Sequence, residues 1–154
     1  MDHEFLMREA LCEAKKAAAI GETPVGAVVV RDGVIVGRGH NRREADGDPT
    51  AHAEIVAMRE ASQALGGWRL TRCTLYVTLE PCIMCAGAMI LARLPELVFG
   101  AFDPKAGAVG SVVNILTAVK FNHQVAVSSG VLAAESGALL RGFFQELRLR
   151  SERR

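Results

Sequence analysis

The chain has 154 residues, half of them apolar and 23% charged, a composition that fits one globular domain with a sizeable core. A formal net charge of +1 removes any global electrostatic case for binding nucleic acid or membrane, and no apolar run reaches the ~18–20 residues of a membrane span. The opening MDHEFLMREA is acidic and amphipathic, unlike a secretory signal, and predicts a reducing, cytoplasmic setting.

Residues 2–20 predict a helix, with Phe5, Leu6, Cys12 and Ile20 recurring at roughly helical spacing among charges, and Gly21 ending it. PVGAVVVRDGVIVGRGHN predicts a hairpin: Val28 to Val30, a tight Asp32-Gly33 turn, then Val34 to Gly39. A loop rich in Arg, Asp and Gly runs through Pro49. AHAEIVAMREASQAL follows as a helix that Gly66-Gly67 stops. CTLYVTLE is β-branched and aromatic, hence a strand, and it feeds CIMCAGAMILARL, a helix apolar on nearly every side and so buried. ELVFGA predicts a strand, DPKAGAVGS a Gly-rich loop, Val112 to Ala118 a short helix and QVAVSS a weak strand. The last helix covers about 131 to 150 and ends in basic residues. Alternating helices and strands behind a hairpin predict a mixed sheet covered by helices on both faces.

Two segments carry the chemistry. In DPTAHAEIVAMR, His52 and Glu54 lie at a helix start, with Pro49 just upstream. In TLEPCIMCAGAMI, Pro81 sets another helix start at Cys82, and Cys85 follows at i+3 on the same face. Helix N-termini favour thiolate over thiol. Two thiolates and an imidazole suit Zn²⁺, and three protein ligands leave a tetrahedral position open, as in catalytic sites. Such an ion is formally neutral and acidifies water less than one held by three neutral histidines, so a nearby carboxylate has to take the proton; Glu54 is placed to do so.

Competing readings differ in what else they need. A redox pair at Cys82 and Cys85 has no use for His52 and Glu54. A structural zinc needs a fourth ligand, for which Cys73, His40 and His123 are the sequence candidates, none with paired spacing. Cys12 and Cys73 sit alone among apolar residues and are assigned to the core.

His52-Ala53-Glu54 with Pro81-Cys82-Ile83-Met84-Cys85 resembles the zinc-dependent nucleoside and nucleobase deaminases. With TPVGAVVV, FGAFDPKAGAVGS, FNH and ESGALLRGFFQELR added, the chain resembles the bacterial tRNA-specific adenosine deaminases from about residue 4 to 150. The resemblance implies a three-layer α/β/α cytidine-deaminase-like fold with a five-stranded mixed sheet, in which residues 1–154 form a single deaminase domain. It implies a homodimer with one Zn²⁺ per subunit. It also implies a hydrolase acting on a C–N bond of a cyclic amidine, turning adenosine into inosine at the wobble position of an arginine tRNA anticodon and releasing ammonia. His52, Cys82 and Cys85 then bind the metal, Glu54 is the general acid/base, and Asn41 holds the target nucleoside. Asp103, Lys105 and Asn122 belong to the pocket rim, and Phe144 and Arg148 to the RNA contacts. Deamination of free guanine or cytidine, and a non-catalytic zinc-stabilised RNA-binding protein, are the alternatives.

The last helix gives the RNA expectation some physical content. From Arg141 to Arg154 the chain carries five arginines and two glutamates, and Phe143 and Phe144 lie among them. Arg and aromatic side chains together suit phosphate and unpaired bases, although the same pattern serves a packed, dipole-compensating helix end. Arg42 and Arg43 offer two further cations for phosphate, or simply an exposed loop. Leu91 and Phe102 stand where polar residues are common in relatives, and both leave the catalytic set intact.

Overall fold

The computed structural model describes residues 2–118 and 120–153; Met1, Val119 and Arg154, two of them the ends of the expected domain, lie outside these. The elements run α1 (His3–Ala19), β1 (Gly26–Arg31), β2 (Val34–His40), α2 (Arg43–Asp46), α3 (Ala53–Leu65), β3 (Cys73–Leu79), α4 (Ile83–Leu91), β4 (Glu96–Ala101), β5 (Ala126–Ser128) and α5 (Ala133–Glu152).

The strands form one sheet in the order β2-β1-β3-β4-β5. β1 runs antiparallel to β2 and β3, while β3, β4 and β5 are parallel to one another. The sheet is therefore mixed and five-stranded, and helices cover both faces in a three-layer α/β/α arrangement. Alternation along β1 divides the core. Ala27 and Val29 join Ala53, Ala57, Leu75, Val77 and Met89 on the α3/α4 face; Val28 and Val30 join Leu6, Met7, Ala10 and Tyr76 on the α1/α5 face.

Three expectations need correction. Cys12, assigned to the core, is exposed, because the buried face of α1 runs through Leu6, Met7, Ala10, Leu11, Ala14 and Ala17 and turns it outward. Val112 to Ala118 is not a helix. Ile115 N–H donates to the Ala108 carbonyl at 3.0 Å, Gly110 N–H to the Val113 carbonyl at 2.9 Å, and Val109 bridges Asn114, so the segment folds back on itself instead of forming i to i+4 bonds. The loop after the hairpin also contains a four-residue helix, α2, closed by Gly47 at φ 57°. The last helix begins at Ala133 and reaches Glu152, a two-residue shift from the sequence-based bounds.

The register places the functional edge. Gly26 pairs with His40 and Ala27 with Val77, so the start of β1 meets the ends of β2 and β3 on one side of the sheet. β4 ends there as well, Ala101 opposite Leu79. The register slips between Val29 and Val30, which turns Ile35 toward the α1 cluster and leaves Gly37 and Gly39 against α3. A Cβ at Gly39 would strike the Ala53 carbonyl and the Ala57 nitrogen, and one at Gly37 the Ala57 carbonyl. α3 thus lies on bare backbone, and its seating fixes where its N-terminus arrives. Gly39→Ala is expected to destabilise the protein by about 1–3 kcal/mol through forced displacement of α3. In a thermal melt that corresponds to a fall of roughly 3–10 °C.

Candidate active site

His52 and Cys82 are the N-cap residues of α3 and α4, both with extended backbone, and neither side chain caps its own helix. The sequence reading set them at helix starts, and the structure puts both at the residue just before the first turn. An extended cap residue can turn its side chain across the helix end toward a second helix. Cys85 is the third residue of α4, the position whose side chain lies next to that of the N-cap residue. His52 Nδ1 lies 3.6 Å from the sulfur of Cys82 and 3.6 Å from that of Cys85, and the three donor atoms fall within 4.8 Å of one another.

These distances fit a shared metal. Zn–S bonds of about 2.3 Å and Zn–N bonds of about 2.0–2.1 Å at a tetrahedral angle put nitrogen and sulfur about 3.6 Å apart. The protonation states point the same way. Hydrogen bonding from Cys85 and from His52 holds the Cys82 thiol down at about 3. The same hydrogen bond, with burial, pushes Cys85 up. Side by side the pair keeps one negative charge, and a second requires a cation between them. Among the described residues no other group of three or more His, Cys, Asp or Glu side chains has this spacing, and Cys73, His40 and His123 are not part of it. His40 faces Glu13 at 3.4 Å, His123 lies 2.7 Å from the Leu94 carbonyl, and Cys73 is buried in the core.

Glu54, second residue of α3, is 4% exposed. Burial pushes its carboxyl up to about 7, against the opposing influence of its own backbone N–H and of His52. A carboxyl poised there exchanges a proton readily near neutrality.

His52, Glu54 and Cys82 face a cavity of about 290 Å³, completed by Thr23, Val25, Asn41, Arg43, Leu79, Glu80, Asp103, Ala106 and Phe144. Asn41 and Asp103 thus share the pocket with His52 and Cys82 of the three-donor group, and Cys85 lies buried beneath it. Lys105 and Arg148 line an adjoining groove of about 510 Å³ with Arg141 and Gln145, and Phe144 belongs to both spaces. Asn122 lies outside both, on an exposed loop segment. Arg43 reaches the pocket, whereas Arg42 is engaged by Asp46 at 3.0 Å. A larger cavity of about 600 Å³ lies apart from this chemistry, on the outer side of α3 and α4, between Ile55, Met58, Trp68 and Leu91.

Two buried carboxylates that the sequence reading did not single out flank the pocket. Glu22 accepts the N–H groups of Glu44 and Ala45 at 2.7 and 2.9 Å, anchoring α2. Glu80 accepts from Asp103, Val109 and Ser111 in the loop after β4. Burial works against its charge, but these bonds outweigh it and hold its carboxyl below the usual range. Asn41 has a structural task too: its Oδ1 accepts the Ala53 N–H at 2.9 Å, capping α3 where His52 cannot.

Residues 1–148 match the MafB19-like deaminase family. The chain is 55% identical over 145 residues to a tRNA-specific adenosine deaminase of Bacillus subtilis (strain 168), covering 94% of this chain and 90% of that protein. A solved structure from work on A-to-I editing by tRNA:A34 deaminases at the wobble position of transfer RNA superposes with a TM-score of 0.85 at 46% identity, covering 88% of this chain and 99% of the other. A guanine deaminase from Nitrosomonas europaea superposes at 0.80 with 26% identity, covering 91% and 83%.

Asn41→Ala orphans the buried Ala53 N–H and is expected to cost about 1–2 kcal/mol in chemical denaturation. Asn41→Asp keeps an acceptor at the helix start and should stay close to the parent stability.

Proposed function

The chain belongs to the MafB19-like deaminase family, and on that footing we propose that it deaminates adenosine to inosine at the wobble position of a tRNA anticodon. The observation that carries this reading is the three-donor group opening on a pocket that also holds a buried, protonatable Glu54. The finer reading takes residues 1–154 as one deaminase domain acting in the cytoplasm, an arginine tRNA as substrate and ammonia as the released product. Among the described residues no helix is long and apolar enough to cross a membrane.

His52, Cys82 and Cys85 are the residues that would hold one Zn²⁺ per subunit. Bound there, zinc supplies Lewis-acid activation of water for attack at adenine C6. Glu54 takes one proton from the attacking water and passes it to ring N1, then takes the second from the new C6 hydroxyl and passes it to the departing amine, which leaves as ammonia as the C6 carbonyl forms. Burial of Glu54 raises its affinity for that proton, so one side chain serves as base and then as acid. Asn41 and Asp103 orient the nucleoside, and Phe144 gives its base a stacking surface at the pocket mouth. Lys105 and Arg148 take backbone phosphate in the adjoining groove, and Asn122 contacts RNA farther out. An anticodon loop already exposes its bases, which lowers the cost of bringing one into the pocket.

The homodimer is assigned to the outer face of α3 and α4, where Trp68, Ile83 and Leu91 are 53%, 64% and 71% exposed beside the apolar cavity. Analytical ultracentrifugation is expected to show a dimer, and Leu91→Arg a monomer.

The functional test incubates a transcript of the arginine anticodon arm with the protein and sequences for an A-to-G change. Free guanine and cytidine serve as competing substrates. Editing of the arm, with little turnover of either, supports the reading; the reverse pattern identifies a nucleobase or nucleoside deaminase. Glu54→Gln should keep its zinc by elemental analysis and lose roughly 10²–10⁴-fold in turnover. Unchanged product formation in that variant sinks the proton-transfer role, and an inactive parent that still binds zinc and RNA marks a non-catalytic binding protein.

A further inference from the structure

Glu80 is 2% exposed, stands directly before Pro81 and Cys82, and has no part in the donor set or the proton transfer. Its backbone N–H donates to the Ala101 carbonyl at 2.8 Å, and among the described residues the partners of its carboxylate lie in the 103–111 loop. Asp103 N–H donates to Oε1 at 2.9 Å, and the Ser111 hydroxyl donates to the same oxygen. Val109 N–H and Ser111 N–H donate to Oε2 at 2.9 and 3.0 Å. The donors are neutral, so one loop's dipoles hold a buried charge. Gly107 fits against this contact, because a Cβ there would fall on the Glu80 carboxylate. With four bonds pinning it, that carboxylate has little room to yield.

The clamped loop is also braced within itself by hydrogen bonds. Asp103 accepts the Lys105 N–H on Oδ1 at 3.0 Å and the Gly107 N–H on its carbonyl at 2.9 Å. Ala108 N–H donates to the Pro81 carbonyl at 2.9 Å, a second tie to the same turn. From this frame Asp103 and Ala106 face the pocket, and Lys105 faces the groove it shares with Arg141 and Arg148.

We propose that Glu80 is a positioning residue for RNA binding: it clamps the 103–111 loop so that Lys105 meets nucleic-acid phosphate and Asp103 meets the target nucleoside. The proposal rests on the reading of the substrate as RNA. It differs from a purely structural role, in which Glu80 merely supports the turn carrying Cys82, by where the damage appears when the clamp is loosened.

The test uses the zinc-loaded full chain and the anticodon-arm transcript. Glu80→Gln preserves size, but its NH2 group faces N–H donors, so at least one bond of the clamp is lost. Zinc content should stay at the parent value, KM for the arm should rise about ten-fold or more, and kcat should remain within about three-fold. Hydrogen exchange at the amides of Asp103, Val109 and Ser111 should accelerate in step. Ser111→Ala removes one donor at an exposed position and is expected to raise KM about three-fold with kcat unchanged, a result that stands even where Glu80→Gln fails to fold. Parent-like KM in both variants overturns the proposal. A kcat that falls with lost zinc overturns it too, since Glu80 then supports the metal. Should the parent leave the arm unedited, the RNA reading fails by itself; the exchange rates still decide the clamp, and parent-like protection in Glu80→Gln disproves it.

Discussion

The meeting of two helix beginnings at one edge of the sheet sets everything else in this molecule. α3 and α4 follow β2 and β3, and β1 runs antiparallel to both strands, so the two helices start side by side. Their cap residues are extended rather than helical, which lets an imidazole and a thiol turn sideways into the gap between them. The unpaired N–H groups at each helix start favour the negative charge the sulfurs must carry. Because His52 is turned inward, α3 needs another cap, and Asn41 from the end of β2 supplies it. One geometric choice thus recruits the next residue out.

Buried carboxylates around the pocket show how environment divides one functional group into different tasks. Glu54 lies deep beside the sulfurs, where burial makes it hold a proton near neutrality. Glu80 is as thoroughly buried but receives four donors, and it stays charged and fixes a loop. Glu22 does for α2 what Glu80 does for the 103–111 loop, accepting two backbone N–H groups. A raised carboxyl at Glu54 and a lowered one at Glu80 therefore go with the number of donors that reach each, since both side chains are almost inaccessible to solvent.

The meeting of His52, Glu54, Cys82 and Cys85 was legible in the sequence because they sit at helix starts that Pro49, Pro81 and the apolar periodicity mark. The hairpin, β3, α4 and β4 were legible for the same reason: composition and period agree there. The short helix expected over Val112 to Ala118 failed because the hydrogen bonds of that segment are set by the loop around Gly110, whose φ of 135° no local pattern announces. The slip in the hairpin register leaves no mark beyond two glycines. Glu80 was invisible as an anchor since most of its donors are backbone amides, which carry no sequence signature. Asn122, a rim residue by resemblance, stands on an exposed loop segment away from the pocket lining.

Gly37 and Gly39 also bear on how this chain can change over generations. Neither borders the pocket, yet any heavier side chain at either lifts α3 from the sheet and shifts His52 and Glu54 together. Drift toward a new base preference is therefore closed off along β2. It stays open on the outward positions of α5 and of the Gly-rich loop, where a replacement alters what the mouth admits and leaves the reacting groups undisturbed.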